Sequence, residues 1–277
     1  MRTCLRNLSG LAVAACLLGG ALPARAEAPA EPGARETNQL RVLNYNIRHG
    51  RGMDDEIDLE RIAGVINAAD ADIVALQEVD VGVRRSGEVD QVAELGRLTD
   101  MYGVFGKHRD FGGGDYGQAL LSRRPIESVE VIDLHGTTGE DADYRVAVAA
   151  HIPGTEDLPG ILFVSMHLHH QAEEHRLLQV RELKRVLGEA EQEAVILAGD
   201  LNARPGSETA NKMLDGWIDT TPDDAMTFPA DEPNRKIDYI LFPEEHPWRV
   251  LRSEVIDEPM ASDHRPLYVD LEWSPGR

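Results

Sequence analysis

The stretch Ala194-Val195-Ile196-Leu197-Ala198-Gly199-Asp200-Leu201-Asn202 is an apolar run that ends in a carboxylate and an amide. Its first five residues predict a buried strand of an α/β protein, because such strands are apolar on both faces. Asp200 and Asn202 then lie at the edge of a sheet rather than in bulk solvent. They gain none of the apolar burial that stabilises the strand, so their position indicates a functional role.

The same pattern recurs along the chain, where other strand-like runs contain or end in polar clusters. A shared metal ion and an anionic substrate would explain why several different strands carry such residues at one sheet edge. The other clusters are Asn44-Tyr45-Asn46, Gln77-Glu78, His167, Asp238 within residues 237–242, and Ser262-Asp263-His264.

Apolar spacing also predicts helices. Leu59, Ile62 and Val65 fall on one helical face, and Asp58 precedes them as an N-cap. Several strands follow one another without an intervening helix, so the pattern differs from the simple alternation of a Rossmann fold. The sequence predicts a mixed α/β sheet protein. Further helices are predicted at residues 89–98 and 173–187, further strands at 40–47, 102–105, 120–123, 144–150, 161–166 and 267–271, and a loop-rich segment at 201–236.

The N-terminus has the features of an export signal. Arg2 and Arg6 precede the apolar residues 11–22, and Ala24-Arg25-Ala26 fits a cleavage site. The apolar stretch is shorter than the roughly 20 residues of a membrane-spanning helix. We therefore expect residues 1–26 to be removed, and a periplasmic or secreted protein without stable membrane insertion. Lipoprotein anchoring through Cys16 is the alternative.

The mature chain is expected to contain a flexible tether at residues 27–39, rich in Ala, Pro and Glu, and one domain at residues 40–273. Cys4 and Cys16 both lie in the predicted signal. Disulfides, a cysteine nucleophile and a thiolate metal site are therefore excluded from the mature chain.

The charge of the chain disfavours one class of partner. The formal net charge is −21, and the predicted signal contributes three arginines and no acid, so the remainder is more acidic still. Proteins that bind many nucleic-acid phosphates normally present a basic surface. High-affinity nucleic-acid binding is therefore disfavoured. We expect a monomer.

The polar clusters supply hard oxygen ligands from carboxylates and amides, which suit Mg²⁺, Mn²⁺ or Ca²⁺ rather than a structural zinc ion. The sequence lacks both the glycine-rich Walker loop and the Gly-x-Ser-x-Gly nucleophile motif. Water, rather than a protein side chain, is therefore expected to attack the substrate. The carboxylates are Glu78, Asp200, Asp238 and Asp263, and the amides are Asn46 and Asn202.

Hydrolysis of a phosphodiester needs positive charge on the phosphoryl oxygens, further donors to them, and a base that aligns water. His167 and His264 can donate to phosphoryl oxygens. A partner carboxylate can orient a histidine and raise its pKa, which strengthens that donation. The chain thus supplies a residue for every role.

Taken in order, the motifs resemble those of the endonuclease/exonuclease/phosphatase superfamily over residues 40–272, nearly the whole mature chain. The resemblance implies a four-layer αββα sandwich of two mixed β-sheets flanked by helices. It also implies a divalent metal and the hydrolysis of phosphoester bonds. The motifs are Asn44-Tyr45-Asn46, Gln77-Glu78, Leu121-Ser122-Arg123, His167-Leu168, Gly199-Asp200-Leu201-Asn202, Ile237-Asp238-Tyr239 and Ser262-Asp263-His264.

Matched positions imply that Glu78 is the main metal ligand and that Asn46 and Asp263 lie close to the metal, which is expected to be Mg²⁺ or Mn²⁺, with Ca²⁺ as a further alternative.

The resemblance also assigns catalytic roles. His264 would contact the scissile phosphate and would be oriented by Asp238. Asp200 and Asn202 would align the water and the phosphate, and His167 would act as a donor or a general acid.

Tyr116 is a weaker candidate, because the family's tyrosine stands one residue further from the Leu-Ser-Arg element. His169 and His170 are interpreted as a substrate-side loop, and His49 and His108 as loop or surface histidines. Candidate phosphate-binding residues are Arg84, Arg85 and Arg204, although arginines are also common on surfaces.

The sequence therefore predicts an exported, metal-dependent phosphoester hydrolase, acting on a small or lipid-headgroup phosphodiester. A periplasmic or secreted nuclease is the first alternative. A catalytically silent binding protein on the same fold is the second, and the complete set of site residues argues against it.

Overall fold

The structure is a computed structural model that describes residues 36–135, 144–188 and 194–275. The predicted signal, both cysteines and most of the predicted tether lie outside these residues. None of the helices in the described ranges has the length and hydropathy of a membrane-spanning segment.

Strands dominate the described chain, and helices connect or follow them. The strands are β1 Gln39–Asn46, β2 Ile73–Val81, β3 Tyr102–Phe111, β4 Gly114–Ser122, β5 Ser128–Leu134, β6 Arg145–Ile152, β7 Ile161–His167, β8 Ala194–Asp200, β9 Trp217–Asp219, β10 Asp238–Pro243, β11 Trp248–Val255 and β12 Leu267–Trp273. The helices are α1 Leu59–Ala69, α2 Gln91–Thr99, α3 Glu173–Gly188 and α4 Glu208–Leu214.

The start of α1 follows from its sequence. The Asp58 carboxylate accepts a hydrogen bond from the backbone N–H of Arg61 at 2.8 Å, as the N-cap prediction requires. Asp90 caps α2 in the same way, accepting from the N–H groups of Val92 and Ala93. Both caps satisfy backbone donors that the first helical turn leaves unpaired.

The strands form two six-stranded sheets, which we call sheet 1 and sheet 2. Sheet 1 has the order β11-β12-β1-β2-β4-β3, and sheet 2 the order β5-β6-β7-β8-β10-β9. Each sheet contains one parallel pair, β1 with β2 and β7 with β8, and its other neighbours are antiparallel. A parallel pair needs a crossover connection, which α1 and α3 provide.

Three hydrophobic clusters define the layers. One joins the facing surfaces of the two sheets, including Val42 of sheet 1 and Phe163 of sheet 2. A second packs sheet 1 against α1 and α2, through residues such as Ile62 and Leu95. The third packs sheet 2 against α3 and α4, through Leu183 among others. The protein is therefore a four-layer αββα sandwich, which confirms the predicted fold class.

Strand alternation carries polar residues to one end of the inter-sheet space. Residues on the same face of a strand are two apart, so Asn44 and Asn46 continue the face that Val42 gives to the inter-sheet cluster. The same face of β7 runs from Phe163 through Ser165 to His167. The two sheets thus share an apolar core whose one end becomes polar. The corresponding residues in the other central strands are Gln77 in β2, Asp200 in β8 and Asp238 in β10.

The structure contains several strands and one helix that the sequence analysis did not predict. β5, β9, β11 and α4 were not predicted, and α4 and β9 lie in the segment expected to be loop. The side chains of Val129 and Val131 in β5 are 42% and 44% exposed, so this edge strand lacks an apolar-inside pattern. β1 begins at Gln39, and the adjacent Asn38 exchanges hydrogen bonds with Trp273, so the domain's first contacts lie in the last residues of the predicted tether.

The inter-sheet cluster should supply a large part of the stability. Phe163 is fully buried there, and Phe163→Ala should lower the free energy of unfolding by about 3–5 kcal/mol through lost burial and a residual cavity. Chemical denaturation measures this loss. The matched change Val129→Ala on the exposed strand should cost less than about 0.5 kcal/mol. Equal losses for the two variants would contradict the assignment of the core.

Candidate active site

The polar end of the inter-sheet space opens into a cavity of about 310 Å³. Seven of the nine predicted site residues line it, and the other two, Asn46 and Asp238, lie beneath its floor bonded to lining residues. The structure therefore brings the whole predicted set together. The lining residues are Glu78, Arg109, Tyr116, Arg145, His167, His170, Asp200, Asn202, Phe228, Arg235, Ile237, Asp263 and His264.

Glu78 reaches the cavity because of an irregularity in β2. The pairing of β2 with β4 shifts register between Leu76 and Val79, and Glu78 has a positive φ of 58°. Strict alternation would direct residue 78 toward the helix layer, whereas this β-bulge turns it into the cavity. From the sequence, the strand-like run at residues 72–76 was expected to end as a strand at Gln77-Glu78. This bound was wrong, since β2 continues to Val81.

Asn46 joins two carboxylates. Its side-chain amide donates to Glu78 Oε1 at 3.3 Å and to Asp200 Oδ2 at 3.4 Å. Its Oδ1 accepts from the backbone N–H of Arg48 at 3.1 Å. In this arrangement Asn46 presents its amide nitrogen, not its oxygen, to the carboxylates. The expected oxygen ligand would require a rotated amide that gives up the bond from Arg48.

A polar network beneath the cavity holds the sheets in register. Gln77 Nε2 donates to Asn44 Oδ1 at 3.0 Å and to Ser165 Oγ at 3.1 Å, across the two sheets. Asn44 Nδ2 in turn donates to Asp238 Oδ1 at 3.4 Å. All four side chains are buried, and these bonds satisfy most of their polar atoms, although Gln77 Oε1 has no hydrogen-bond partner.

His264 and Asp238 form a buried pair. His264 Nδ1 lies 2.9 Å from Asp238 Oδ2, which also accepts from Thr227 Oγ1 at 2.6 Å. Burial alone would lower the pKa of His264, but the adjacent Asp238 carboxylate raises it to about 10. The ring is therefore a cation at neutral pH. Its Nε2 lies 3.9 Å from Asp200 Oδ2.

Asp200 is held at the end of β8. Its Oδ1 accepts from the backbone N–H of Asn202 at 2.7 Å, and its Oδ2 lies 3.5 Å from His167 Nε2. Burial and the nearby Asp238 raise the pKa of Asp200 to about 7. A carboxylate with such a pKa can exchange a proton near neutral pH.

His167 has the opposite electrostatics. Burial and the neighbouring Arg145 lower the pKa of His167 well below its usual range, so the ring is neutral. Because its Nε2 faces the Asp200 carboxylate, it fits a hydrogen-bond donor better than a general acid. Tyr116 also remains protonated, since burial and Glu78 raise the pKa of its phenol.

Asn202 adopts a left-handed conformation with φ of 50° directly after β8. Its Nδ2 donates to the backbone carbonyl of Leu168 at 3.1 Å, which ties the end of β8 to the end of β7. The residue therefore has a structural hydrogen bond in addition to its place on the cavity wall.

The donor set fits a hard divalent cation. Burial and then the nearby Asp263 carboxylate raise the pKa of Glu78, which indicates that these two acids share the cavity without enough positive charge. A divalent cation between them would relieve that repulsion. Donor atoms of Asp200, Asp238 and His264 also come within 4.8 Å of one another. However, the hydrogen bond between His264 and Asp238 occupies one donor atom of each.

The structure changes the interpretation of several basic residues. Arg85 forms two hydrogen bonds of 2.8 Å with the buried Asp80, and neither Arg84 nor Arg204 lines the cavity. The arginines that do line it are Arg109, Arg145 and Arg235. Each comes from a segment without a recognisable polar motif, so the sequence held no signal for them.

The histidines also differ from expectation. His49 and His108 were interpreted as loop or surface histidines, and both are buried, at 8% and 5% exposure. His108 lies within β3, so the interpretation was wrong for it, whereas His49 does lie in the connection after β1. His170 lines the cavity, as expected for a substrate-side loop. His169 is buried instead, and its Nδ1 accepts from the backbone N–H of Ala172 at 2.9 Å ahead of α3.

Solved structures share this fold at low sequence identity. An endonuclease/exonuclease/phosphatase from Beutenbergia cavernae is 24% identical with a TM-score of 0.68, covering 86% of this chain and 72% of its own. A mannosyl-6-phosphatase from Bacteroides thetaiotaomicron is 21% identical with a TM-score of 0.66, covering 84% and 99%. The catalytic domain of human Nocturnin with bound sulfate is 20% identical with a TM-score of 0.67, covering 86% and 95%.

No curated protein matches the sequence. The sequence model of the Endonuclease/Exonuclease/phosphatase family matches residues 43–264, which is most of the chain and includes every predicted site residue. This protein therefore belongs to the endonuclease/exonuclease/phosphatase family of phosphoester hydrolases.

Proposed function

We propose that this protein is an exported, divalent-metal-dependent phosphodiesterase that acts on a small or lipid-headgroup phosphodiester. One observation supports the proposal most strongly. A cationic His264, fixed by Asp238, faces Asp200 across a cavity that also contains Glu78 and Asp263. Such a site combines positive charge for a phosphoryl group with a base for water.

Glu78 and Asp263 would hold the metal ion, with Asn46 fixing the position of the Glu78 carboxylate. When bound, the ion supplies positive charge to the phosphoryl oxygens and lowers the pKa of water. The loop that carries Asp263 is anchored by Ser262, whose hydroxyl donates to the backbone carbonyl of Asn46 at 2.7 Å. Both acids are thus positioned beside β1, Glu78 by the neighbouring strand β2 and Asp263 by the loop that Ser262 anchors to Asn46.

Asp200 would align the attacking water and accept its proton. Its fixed Oδ1 contact with the Asn202 backbone leaves Oδ2 facing the cavity between the two histidines. His264 would donate through Nε2 to a phosphoryl oxygen, because Asp238 holds the other ring nitrogen. His167 and Tyr116 are further neutral donors on the wall.

The cavity and the charge of the chain support a small substrate. A volume of about 310 Å³ accommodates a phosphodiester with a modest substituent. The acidic chain would repel a long polyanion such as duplex nucleic acid. Nuclease activity remains the competing proposal, and a substrate panel that includes DNA and RNA distinguishes the two.

Hydrolysis should depend on the His264 ring. His264→Ala should lower kcat for bis(p-nitrophenyl) phosphate by about 10²-fold or more, the usual loss for one positioned catalytic donor. The assay compares this diester with p-nitrophenyl phosphate, with and without EDTA. The exposed residue His135 provides the matched control His135→Ala, which should retain full activity. An unchanged kcat in His264→Ala would place the reaction elsewhere, and faster cleavage of the monoester would reject a diesterase.

Metal binding should release protons in a pH-dependent way. The raised pKa of Asp200, about 7, leaves it largely protonated at pH 6 in the metal-free protein, and a bound cation favours the ionised form. Titration calorimetry with Mg²⁺ or Mn²⁺ in buffers of different ionisation enthalpy should show more proton release near pH 6 than near pH 8.

Two variants test which residues cause the proton release and the metal binding. Asp200→Asn should reduce proton release at the lower pH, and Glu78→Gln should weaken metal binding strongly. The exposed acid Glu60 supplies the control Glu60→Gln, which should bind metal as the native protein does. Native affinity in Glu78→Gln would remove Glu78 from the metal site.

Export rests on the first 26 residues of the sequence. Bacterial expression of the full chain should yield a protein outside the cytoplasm whose N-terminal sequence begins at Glu27. A lipid-modified chain beginning at Cys16 would favour the lipoprotein alternative. A cytoplasmic chain that keeps residues 1–26 would contradict export.

A further inference from the structure

We propose that the substrate carries a second anionic group beside its scissile phosphoester, and that Arg145, with His170 and Arg109, binds this group. The inference rests on the proposed function, because it names the class of substrate that the same cavity would accept.

Arg145 is the central observation. The residue is only 8% exposed, lines the cavity and begins β6. Its Nε is buried and has no hydrogen-bond partner. Its Nη2 lies 3.1 Å from His170 Nδ1, and within the described ranges no carboxylate forms an ion pair with it. Among the residues that the structure describes, Arg145 therefore combines burial with a charge that no carboxylate compensates.

Such an arrangement is costly unless an anion compensates it. A buried guanidinium loses hydration and needs a partner to replace it. The chain has 49 acidic residues against 28 basic ones, so a carboxylate partner would be readily available by composition. Arg85 shows how the charge of an arginine is usually compensated, since it forms an ion pair with the buried Asp80. A partner for Arg145, which the described part of the chain does not provide, is thus best supplied by the substrate.

The neighbours of Arg145 suit an anion. An arginine is always charged and can only donate, so His170 Nδ1 is the acceptor of their contact. The proton of a neutral His170 must then be on Nε2, which makes that nitrogen a donor. Arg109 pairs with Tyr116 across β3 and β4, and its guanidinium carbon lies 5.4 Å from the tyrosine ring centroid. Arg109 also has no ion pair among the described residues.

The contacts already assigned in the site point to a second group rather than the scissile phosphate itself. Under the proposed function, His264 and a divalent cation held by Glu78 and Asp263 already contact the scissile phosphoryl group. Arg145 and Arg109 are therefore left to contact another part of the substrate. Arg145 and Arg109 add positive charge on the wall beside His167 and Tyr116. A second phosphate or carboxylate on the same substrate would balance that wall.

Calorimetry with unreactive ligands tests the inference. The native protein, at a fixed free Mg²⁺ concentration, is titrated with methylphosphonate and with methylene-, ethylene- and propylene-bisphosphonate, which vary the spacing of two anions. At least one bisphosphonate should bind about 10-fold more tightly than methylphosphonate or better, the scale of one charged hydrogen bond. In Arg145→Gln this preference should fall to nearly one, and Arg145→Lys should restore part of it.

Thermal unfolding verifies that each variant folds, and Arg109→Gln repeats the test at a more exposed position. Arg97, an exposed arginine on α2, gives the control Arg97→Gln, which should keep the native preference. Absence of a preference in the native protein would overturn the inference. Equal losses for methylphosphonate and the bisphosphonates in Arg145→Gln would also overturn it, by placing Arg145 at the scissile phosphate.

The outcome is independent of turnover. A preference for bisphosphonates without hydrolysis of any phosphoester would support the second anion subsite while rejecting the proposed diesterase activity. Hydrolysis of phosphodiesters without this preference would support the proposed function and reject the subsite.

Discussion

The structure depends on one constraint, which is that two sheets packed face to face must bury every second residue of their central strands. Over most of the interface these residues are apolar, as in the cluster around Val42 and Phe163. At one end they are Asn44, Gln77 and Asp238, which are buried and bonded to one another. Their hydrogen bonds connect the strands at this end, where a polar cavity replaces the closed apolar core.

The same constraint crowds carboxylates into a small volume. Asp200 and Glu78 share the amide of Asn46, and burial raises the pKa of both acids. Asp238 stays beside a cationic His264, so only part of the negative charge is balanced within the chain. The carboxylates of the site therefore favour binding of a cation, and the wall that contains Arg145 favours binding of an anion. A metal ion, together with a substrate that carries a second anionic group, would satisfy both needs.

The sequence predicted the central strands because they depend on local patterns, and the predicted site residues lie together in the structure. Buried runs such as residues 194–198 have a clear signature, and the polar residues at their ends mark the cavity. The β-bulge that turns Glu78 into the cavity has no such signature, since its geometry depends on pairing with β4. Edge strand β5 was missed because its side chains are largely exposed and do not alternate as a half-buried strand would.

The basic wall could not be predicted for a different reason. Arg109 and Arg145 lie on strands of different sheets, and only the packing of the two sheets brings them to one cavity. The role proposed for them rests on the lack of acidic partners among the described residues, which is a property of the three-dimensional arrangement. From the sequence, Arg85 was a candidate phosphate-binding residue, but its charge is instead paired with Asp80.

The location of the metal ion tests the central claim most directly. A crystal structure of the protein with Mn²⁺, with the ion identified from its anomalous scattering, would show which carboxylates bind it. The ion should contact a carboxylate oxygen of Glu78, with the hydrogen bond between His264 Nδ1 and Asp238 intact. An ion bound by His264 Nδ1 and Asp238 instead would contradict the account, in which the metal site at Glu78 is separate from the hydrogen-bonded pair of His264 and Asp238.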